Sequence, residues 1–316
     1  MQGVILAAGK GSRLHPITLK RSKAMLPIAG KPMVERVMET LRVNGVHEFV
    51  MLVSGDDSEI RRYFSAEALT DVDIQFVVQP QRLGMANALQ LAGPYLRGPF
   101  VLSACDNLTP PGHVAALLAQ HGSRQADATL SLMEVDPALV SSTGIVEWDG
   151  DRVLRIVEKP TPAEAPSNIS SLPLYVFSPR ILGYLPEVKP SRRGEYELQD
   201  AIQMLIERDG QVTGVFTGNR LQLTNAADLL ALNLHYLSIG SEPPHLAPLS
   251  IGPHTRLVTP LRIEEGTTIG PDCVIGPRVY IERDCRIGDG AYIEDAVILR
   301  GSVVEDGRQV VGEVVS

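Results

Sequence analysis

Two hydrophobic patterns divide the chain, and the first alternates short apolar runs with amphipathic stretches from residue 1 to about residue 236. The apolar runs predict strands at Val4–Leu6, Glu48–Val53, Ile74–Val78 and Phe100–Ser103. The amphipathic stretches predict helices at Pro32–Val43, Met85–Leu91, Glu197–Arg208 and Ala226–Leu237. An Asp149-Gly150 pair between Ile145–Trp148 and Val153–Val157 predicts a hairpin. The alternation favours a Rossmann-like α/β fold, in which a mostly parallel sheet carries helices on both faces.

The second pattern occupies the C-terminal part of the chain and repeats every six residues. Its aliphatic positions are Ile251, Leu257, Ile263, Ile269, Ile275, Ile281, Ile287, Ile293 and Leu299. Mostly small residues stand two positions earlier, at Thr255, Leu261, Thr267, Cys273, Val279, Cys285, Ala291 and Val297. Such hexads are typical of a left-handed parallel β-helix, here of about three coils. We therefore expect an α/β domain over residues 1–237, a linker over 238–250 and a β-helix domain over 251–316.

The composition narrows the class of protein. The formal net charge of −8 over 316 residues argues against a general nucleic-acid surface. Cys105, Cys273 and Cys285 lack the spacing of a metal site or a disulfide framework, which suits a reducing compartment. The N-terminal apolar run Val4–Ala8 is too short for a signal peptide, and no apolar segment is long enough to span a membrane. We expect a cytoplasmic protein.

Against this acidic background, five basic residues and no acidic one lie between Ala7 and Lys23: Lys10, Arg13, Lys20, Arg21 and Lys23. They follow a glycine-containing turn after the first predicted strand. A Rossmann fingerprint would need a third Gly where Leu14 stands, and the Walker pattern G-x-x-x-x-G-K-[ST] is absent. The remaining interpretation is a small-residue turn whose backbone N–H groups approach phosphates, followed by cations that hold them.

These residues carry a family resemblance. "LAAGKGSRLHPITLKRSKAMLPIAGKPM" resembles the signature of the sugar-1-phosphate nucleotidylyltransferases, L-A-A-G-x-G-[ST]-R-[LM] and then a Lys before an L-P-[VI]-x-[GN]-K-P run. Further segments follow in the family's order: "QPQRLGMANAL", "CDN", "STGIVE", "VEKP", "PSN", "LYVFSP" and "GEYELQD". "GNRLQL" is similar to a segment of N-acetylglucosamine-1-phosphate uridylyltransferases. A hexapeptide tail also occurs in those enzymes and in long-form glucose-1-phosphate thymidylyltransferases.

The resemblance implies an enzyme that makes an NDP-sugar and pyrophosphate from a nucleoside triphosphate and a sugar 1-phosphate. Because the attacking phosphate oxygen is already anionic, the reaction needs fixed cations and a metal rather than a general base. Arg13 and Lys23 are the implied catalytic cations: Arg13 for the triphosphate and the leaving pyrophosphate, Lys23 for the α-phosphate and the sugar phosphate. The other implied nucleotide-binding residues are Leu6, Ala7, Ala8, Gly9, Gly11, Gln79, Gly84 and Met85.

The resemblance also implies a Mg²⁺ ion and a base contact. Asp106 follows an apolar run at the carboxyl end of a predicted strand, where open α/β sheets bind ligands. The second metal ligand is taken as Asn219, although Gly218 aligns equally well with the matching Asn of the uridylyltransferases. The amide of Gln79 supplies both an acceptor and a donor, which suits O4 and N3–H of uracil or thymine. UTP or dTTP is therefore the expected nucleotide.

On the sugar side, the matching motifs imply Gly144, Glu158 and Asn168, with the two polar side chains placed for sugar hydroxyls. Glucose 1-phosphate and N-acetylglucosamine 1-phosphate are the expected types of substrate. Pro173 departs from the family, which usually has Gly there. Glu197 and Gln199 occupy positions that vary with sugar specificity, so the sugar stays open.

Three other functions compete with this one. One is a guanylyltransferase that uses GTP and mannose 1-phosphate, and another is a catalytically silent paralogue that senses nucleotide sugars. The third is a bifunctional enzyme whose tail transfers an acyl group. That reaction generally uses a catalytic His at a subunit interface, and His254 is the only His in the hexads. We expect the tail to assemble a homo-oligomer and brace the enzyme instead.

Overall fold

The computed structural model describes residues 1–66, 71–240, 245–246 and 250–316. Its contacts divide the chain into two units: Met1–Gly9 with Val37–Leu221, and Lys10–Arg36 with Gln222–Ser316. The α-helices of the described residues are α1 Met33–Arg42, α2 Ser58–Ala66, α3 Met85–Ala92, α4 Pro111–Arg124, α5 Leu198–Glu207 and α6 Ala226–Ser238. Short 3₁₀ turns cover Ser12–Leu14, Ile17–Leu19, Lys23–Met25, Gly93–Tyr95, Pro137–Ser142, Pro179–Gly183 and Leu185–Glu187.

The strands fall into two groups along the chain. Those up to residue 222 are β1 Gln2–Leu6, β2 Pro27–Ile28, β3 Lys31–Pro32, β4 Glu48–Ser54, β5 Asp73–Gln79, β6 Phe100–Ala104, β7 Asn107–Leu108, β8 Ala128–Glu134, β9 Gly144–Trp148, β10 Val153–Glu158, β11 Ile169–Phe177, β12 Val212–Phe216 and β13 Leu221–Gln222. Those that follow are β14 His245–Leu246, β15 Ser250–Ile251, β16 Arg256–Leu257, β17 Leu261–Ile263, β18 Thr268–Ile269, β19 Val274–Ile275, β20 Val279–Ile281, β21 Arg286–Ile287, β22 Tyr292–Glu294, β23 Ala296–Ile298, β24 Val303–Val304, β25 Gln309–Val311 and β26 Val314–Val315.

The first unit is built on one sheet, to which nine of its described strands belong. The main order is β10-β9-β11-β6-β1-β4-β5, with β8 paired to β11 and β12 paired to β8. Strands β6, β1, β4 and β5 run parallel, so their carboxyl ends meet at one edge. Strand β11 is antiparallel to β6, β8 and β9. The predicted mostly parallel α/β fold is confirmed.

The core of this sheet explains why the four predicted strands form. Strand β4 is buried at every residue after its first, as expected for an apolar run with helices on both faces. Val4, Val50 and Leu102 stand side by side on β1, β4 and β6 and belong to one core cluster. Leu89 of α3 and Ile202 of α5 belong to the same cluster, so helices and sheet share this core. Burying one such side chain stabilises the fold by roughly 1.5–3 kcal/mol.

The predicted hairpin and helices need small corrections. Strands β9 and β10 pair antiparallel, and Asp149 Oδ1 accepts the backbone N–H of Asp151 and of Arg152 in the connection. Helix α1 begins at Met33, not at Pro32, because Pro32 belongs to β3, which pairs with β2. Helices α2 and α4 were not predicted.

In the second unit, three stacks of parallel strands form the predicted β-helix: β14-β17-β20-β23-β26, β15-β18-β21-β24 and β16-β19-β22-β25. Ile263 pairs with Ile281, 18 residues later, as the hexads require. Ile281 pairs with Ile298, however, so the next coil is one residue shorter. Leu299 was therefore wrongly assigned to the inward hexad position, which Ile298 takes, with Ala296 rather than Val297 before it. The coils continue beyond the predicted hexads to Val315.

The predicted linker is mostly outside the described residues. Ser238 is the last residue of α6, and residues 241–244 and 247–249 lie outside the description. The domain limits therefore stay a prediction. No helix in the part of the chain that the structure describes is long and apolar enough to cross a membrane.

Candidate functional site

In the first unit, the glycine turn leaves the carboxyl end of β1, a central strand of the parallel sheet. The Ala7 N–H donates to Leu52 O (2.8 Å), and the Cys105 N–H donates to Leu6 O (3.2 Å). These bonds join the turn to the ends of the neighbouring strands β4 and β6. Ala7 and Ala8 are buried, and Gly9 is exposed with open space around its Cα. Leu6–Gly9 thus occupy the edge where open α/β sheets bind ligands.

Arg82 braces this turn, and the sequence analysis did not single it out. Its Nε donates to Ala8 O (2.7 Å), and its Nη2 donates to Ser54 Oγ (2.7 Å) and Asp56 Oδ1 (3.2 Å). The Ser54 hydroxyl donates to Asp56 as well, which holds the pKa of Asp56 below its ordinary value. The available signal is a basic residue within the family segment "QPQRLG", next to the residues predicted to contact the base.

Gln79 ends β5, and its side chain is buried. Its Nε2 donates to Gly84 O (3.2 Å) and to Asn87 Oδ1 (3.0 Å), so both amide hydrogens are engaged within the protein. Gly84 has a φ of 101° and precedes Met85, the first residue of α3. The structure therefore brings Gln79, Gly84 and Met85 together, but Gln79 offers its carbonyl oxygen Oε1 rather than a donor and an acceptor.

The chain neighbours of Asp106 and Asn219, the two predicted metal ligands, are joined by a hydrogen bond. Arg220 Nε donates to Asn107 Oδ1 (2.7 Å), and each partner adjoins one of the two predicted metal ligands. Asp106 is half-buried after β6, and Asn219 is exposed. The Asn107 Nδ2 atom is buried without a hydrogen-bond partner. Neither Asn107 nor Arg220 was identified from the sequence, although both lie within quoted motifs.

Of the three predicted sugar-side residues, the structure pairs Gly144 with Glu158. Gly144 and Glu158 pair directly across β9 and β10, and a Cβ at Gly144 would lie 3.0 Å from Glu158 Oε2. Burial raises the pKa of Glu158. Two cations oppose this shift: Lys159 Nζ lies 3.6 Å from Glu158 Oε1, and Arg193 Nη2 lies 3.5 Å from the same oxygen. Asn168 is exposed, and its Nδ2 donates to Val135 O (3.3 Å).

The two variable positions lie beside this pair. Glu197 is buried and accepts hydrogen bonds from Arg193 Nη2 (2.6 Å) and Ser191 Oγ (2.8 Å). Gln199 lies 3.3 Å from the same built Cβ of Gly144, and its Oε1 is buried without a partner. Pro173 sits at an irregularity in the pairing of β11 with β8, where a missing N–H is tolerated. These side chains form a polar wall next to Gly144.

In the second unit, the structure brings Gly11 and Lys23 together. Gly11 has a φ of 65°, and a Cβ there would lie 2.9 Å from Lys23 Cβ. The Thr18 hydroxyl donates to Gly11 O (2.8 Å), which closes the loop between them. Arg13 is exposed on the turn that follows Gly11. Only Gly fits this conformation and this close approach without strain.

The remaining chemistry-bearing groups are few. The three cysteines are buried and form no disulfide, and burial raises the pKa of Cys285 to about 11. Across the described ranges, no group of three or more His, Cys, Asp and Glu side chains is placed to hold a metal. His254, the candidate acyl-transfer residue, is an exposed corner residue of the β-helix with a φ of 62°.

Comparison with known proteins places these residues in context. Residues 2–236 match the family described as nucleotidyl transferase, and residues 257–316 match the GMPPB C-terminal domain family. The bifunctional protein GlmU of Methanococcus maripaludis is 32% identical over 240 residues, which is 75% of this chain and 55% of that protein. A glucose-1-phosphate thymidylyltransferase of Streptomyces antibioticus is 31% identical over 237 residues, covering 74% of this chain and 65% of that one. The chain spans about half the length of the GlmU relatives.

Two further comparisons concern a shorter relative and the fold. The UTP–glucose-1-phosphate uridylyltransferase AglF of Haloferax volcanii is 33% identical over 207 residues, which is 65% of this chain and 84% of that protein. A solved UDP-glucose pyrophosphorylase from Acinetobacter baumannii has a TM-score of 0.66 at 24% identity, covering 77% of this chain and 94% of that one. At this identity, the structural likeness supports the fold alone.

Proposed function

Because the chain belongs to the nucleotidyl transferase family, we propose that it joins a nucleoside triphosphate to a sugar 1-phosphate and releases pyrophosphate. The observation that carries this proposal is the family match over residues 2–236 with Arg13, Lys23 and Asp106 all retained. Retention of these charged residues favours an enzyme over a silent, nucleotide-sugar-sensing paralogue.

The proposed reaction is an in-line substitution at the α-phosphorus. An oxygen of the sugar phosphate forms the new P–O bond, and the bond to the β-phosphate breaks to release pyrophosphate. The main obstacle is repulsion between two polyanions, so fixed positive charge lowers the barrier. Lys23 would hold the α-phosphate and the sugar phosphate, Arg13 the triphosphate and the leaving group, and the backbone of Leu6–Gly9 the nucleotide.

A divalent metal fits the donors that the chain supplies. Asp106 and Asn219 offer oxygen atoms, and the Asn107–Arg220 hydrogen bond joins the residues next to them. Mg²⁺ prefers such hard oxygen ligands and is commonly held by one or two of them together with substrate phosphates. When bound, Mg²⁺ would neutralise charge on the phosphates. This arrangement favours Asn219 over Gly218 as the second ligand, since Gly has no side-chain oxygen.

The choice of nucleotide depends on Gln79. Its Nε2 is engaged by Gly84 and Asn87, so the atom left for a base is the acceptor Oε1. Uracil and thymine present one N–H donor, N3–H, to such an acceptor, and UTP or dTTP remains the first proposal. Guanine also presents a donor, N1–H, so the same observation keeps GTP with mannose 1-phosphate as the second candidate.

The sugar and the assembly complete the proposal. Glu158 beside Gly144 supplies a carboxylate for sugar hydroxyls, and Asn168 supplies an amide, so glucose 1-phosphate or N-acetylglucosamine 1-phosphate is the proposed partner. We also propose a homo-oligomer formed through the β-helix and a cytoplasmic location. The exposed corner position of His254 supports a structural role for this residue rather than acyl transfer.

A substrate matrix tests the function. Purified protein with Mg²⁺ would be incubated with ATP, CTP, GTP, UTP and dTTP, each against several sugar 1-phosphates, and pyrophosphate release would be measured. We expect turnover with UTP or dTTP to exceed turnover with ATP or GTP. A clear preference for GTP with mannose 1-phosphate would favour the second candidate, and no release with any pair would favour the silent paralogue.

A further inference from the structure

Arg21, one of the five cations of the signature, is bound to the β-helix. Its Nη1 and Nη2 donate to Glu282 Oε1 and Oε2, each at 2.6 Å, in a bidentate pair. The side chains are only 5% and 11% exposed, so water is nearly excluded from the contact. The partners lie 261 residues apart in the chain and belong to the same unit. Both terminal guanidinium nitrogens are therefore committed to a carboxylate and not offered to a phosphate.

Glu282 is itself fixed by the coils on both sides of it. Its N–H donates to Ile298 O in the following coil (2.8 Å), and the Thr267 hydroxyl of the preceding coil donates to Glu282 O (3.2 Å). The backbone N–H of Arg300 donates to its Oε2 (2.8 Å). A residue held by three such bonds is a rigid anchor, because its backbone and side chain are both constrained.

The segment after Lys23 has a second anchor in the same unit. Ala29 N–H donates to Asn233 Oδ1 (2.7 Å), and Asn233 Nδ2 donates to Pro27 O (3.0 Å), with Asn233 fully buried on α6. Next to it, Gly30 approaches Arg262 of β17 so closely that an added Cβ would overlap Arg262 Nε. Lys23 thus lies between two fixed points, Arg21 and Pro27–Gly30.

We infer that the β-helix positions the Lys23 loop, with Arg21 and Glu282 as positioning residues for nucleotidyl transfer. Arg21 does not contact substrate; it fixes the backbone two residues before Lys23, and Lys23 in turn packs against Gly11. Misplacing a charged group by about 1 Å can lower a rate by about 100-fold, so the position of this backbone matters for turnover. The inference rests on the proposed function, but the hydrogen-exchange part of its test does not depend on that function.

The test compares two single-charge changes in the β-helix of the full-length protein. Glu282→Gln removes the charge that holds Arg21, and Asp295→Asn removes the charge from an ion pair with Arg278 (2.6 Å) that touches no residue of the loop in the contacts described. Amide hydrogen exchange of residues 10–26 and the steady-state kcat and KM are measured for both. We expect Glu282→Gln to raise exchange in that segment and to lower kcat about tenfold or more. Asp295→Asn should change neither.

Two further variants keep the test decisive. Arg21→Gln should reproduce the effect of Glu282→Gln, and the double variant should be no worse than either single variant, since the pair acts as one unit. Glu282→Asp, which keeps the charge but shortens the reach, should show a smaller loss of kcat and serves if Glu282→Gln does not fold.

The outcomes separate the two proposals. If Glu282→Gln and Arg21→Gln lower the melting temperature but leave loop exchange and kcat unchanged, the pair is only structural and the inference is overturned. If the wild-type protein releases no pyrophosphate, the proposed function fails, whereas the exchange measurement still decides whether Glu282 positions the loop.

Discussion

In the proposed reaction, Lys23 would supply a cation for the phosphates and Asp106 a carboxylate for the metal. We expect Lys23→Ala and Asp106→Ala each to lower turnover by about 100-fold or more, the loss usual when one electrostatic contributor is removed. Steady-state assays with saturating Mg²⁺ measure the effect. Circular dichroism checks that both variants stay folded.

Lys20→Ala provides the control for these variants. Lys20 is exposed in the same basic stretch, so its removal lowers the local positive charge by the same amount as Lys23→Ala. Turnover should change by less than about twofold, because an exposed charge is screened by solvent. Equal losses for Lys20→Ala and Lys23→Ala would contradict a specific role for Lys23.

Glu158 is a buried carboxyl whose pKa is raised, chiefly because burial disfavours its charged form. Because burial raises its pKa, the folded state binds a proton more tightly than the unfolded state does. The free energy of unfolding therefore falls as pH rises from 4.5, the ordinary value, through the raised pKa of the folded state. Glu158→Gln removes this penalty. The melting temperature of the variant should therefore gain on that of the wild type as pH rises above 4.5.

Two measurements check the Glu158 prediction. Thermal unfolding followed by circular dichroism gives the difference in melting temperature at each pH, and a difference that shrinks as pH rises would contradict the sign. The same variant should bind sugar 1-phosphate more weakly, since the proposed hydroxyl contact loses its charge. Glu187→Gln is the control of opposite sign: the hydrogen bond from Arg208 lowers the pKa of the exposed Glu187, so this variant should lose melting temperature relative to the wild type as pH rises.

How far single residues can be predicted from sequence depends on where their partners lie. Arg13 and Arg21 look alike in the printed sequence, yet Arg13 is exposed whereas Arg21 is buried against Glu282. No local pattern joins positions 21 and 282. The bracing role of Arg82 was hidden for the same reason, since its partners at Ala8 and Ser54 come from other parts of the sheet.

At the scale of elements, the start of α3 depends on Gly84. Its φ of 101° is one that side chains rarely adopt, and a Cβ would lie 2.5 Å from Tyr196 O. We expect Gly84→Ala to destabilise the protein by about 1–3 kcal/mol, because the backbone must shift to relieve the contact. The shift would also move Gly84 O away from Gln79, which weakens discrimination between bases.

Denaturant unfolding measures this effect, with Gly122→Ala as the matched control. Gly122 lies in α4 with open space around its Cα and an ordinary φ, so Ala there should leave stability unchanged or raise it by about 0.5–1 kcal/mol. If the two variants unfold at the same denaturant concentration, the close approach of Gly84 to Tyr196 does not limit stability.

Elements with a plain periodicity could be predicted, and those with polar buried faces could not. Strand β4 and the hexads from Ile263 to Ile293 follow their patterns because each inward position is aliphatic. Helix α4 escaped prediction since its buried face includes His113 and His121, which hydrogen-bond to Ser131 and Thr129. Burial lowers the pKa of both, in keeping with neutral rings.

The missed register shift in the β-helix has a different cause. Both Ile298 and Leu299 are aliphatic and buried, so spacing alone could not show which of them points into the coil. Residues with positive φ follow the coils instead, at Asp284, Gly290, Asp295 and Gly301, and they show the same one-residue step between 290 and 295. The spacing of the positive-φ residues therefore shows the length of each repeat where the aliphatic side chains do not.

For the whole molecule, fold class could be predicted from order along the chain, but packing does not follow that order. Lys10–Arg36 belong with Gln222–Ser316, not with the sheet strand that precedes them. The change of hydrophobic pattern predicts a domain limit near residue 237. It cannot show that an early segment of the chain packs with a late one, because a pattern along the chain carries no information about contacts between distant residues. The segment that carries Arg13 and Lys23 is thus the one whose surroundings sequence patterns describe least.

The last coil leads to a prediction about assembly. Strands β24, β25 and β26 lie in the last described coil, and each pairs with a strand of the coil before it. Val303 and Val311 on these strands are 50% and 56% exposed. Exposed apolar side chains of this kind favour association with a second chain, so we expect a homo-oligomer in solution.

Multi-angle light scattering on the intact protein and two valine variants tests this expectation. Val311→Glu replaces one of these exposed apolar side chains with a charge and should shift the mass toward that of one chain, because burying a charge in an apolar contact is costly. Val43→Glu, at an equally apolar position that is 70% exposed outside the β-helix, should leave the mass unchanged. A wild-type protein that scatters as a single chain would refute assembly, and dissociation by Val43→Glu alone would place the contact elsewhere.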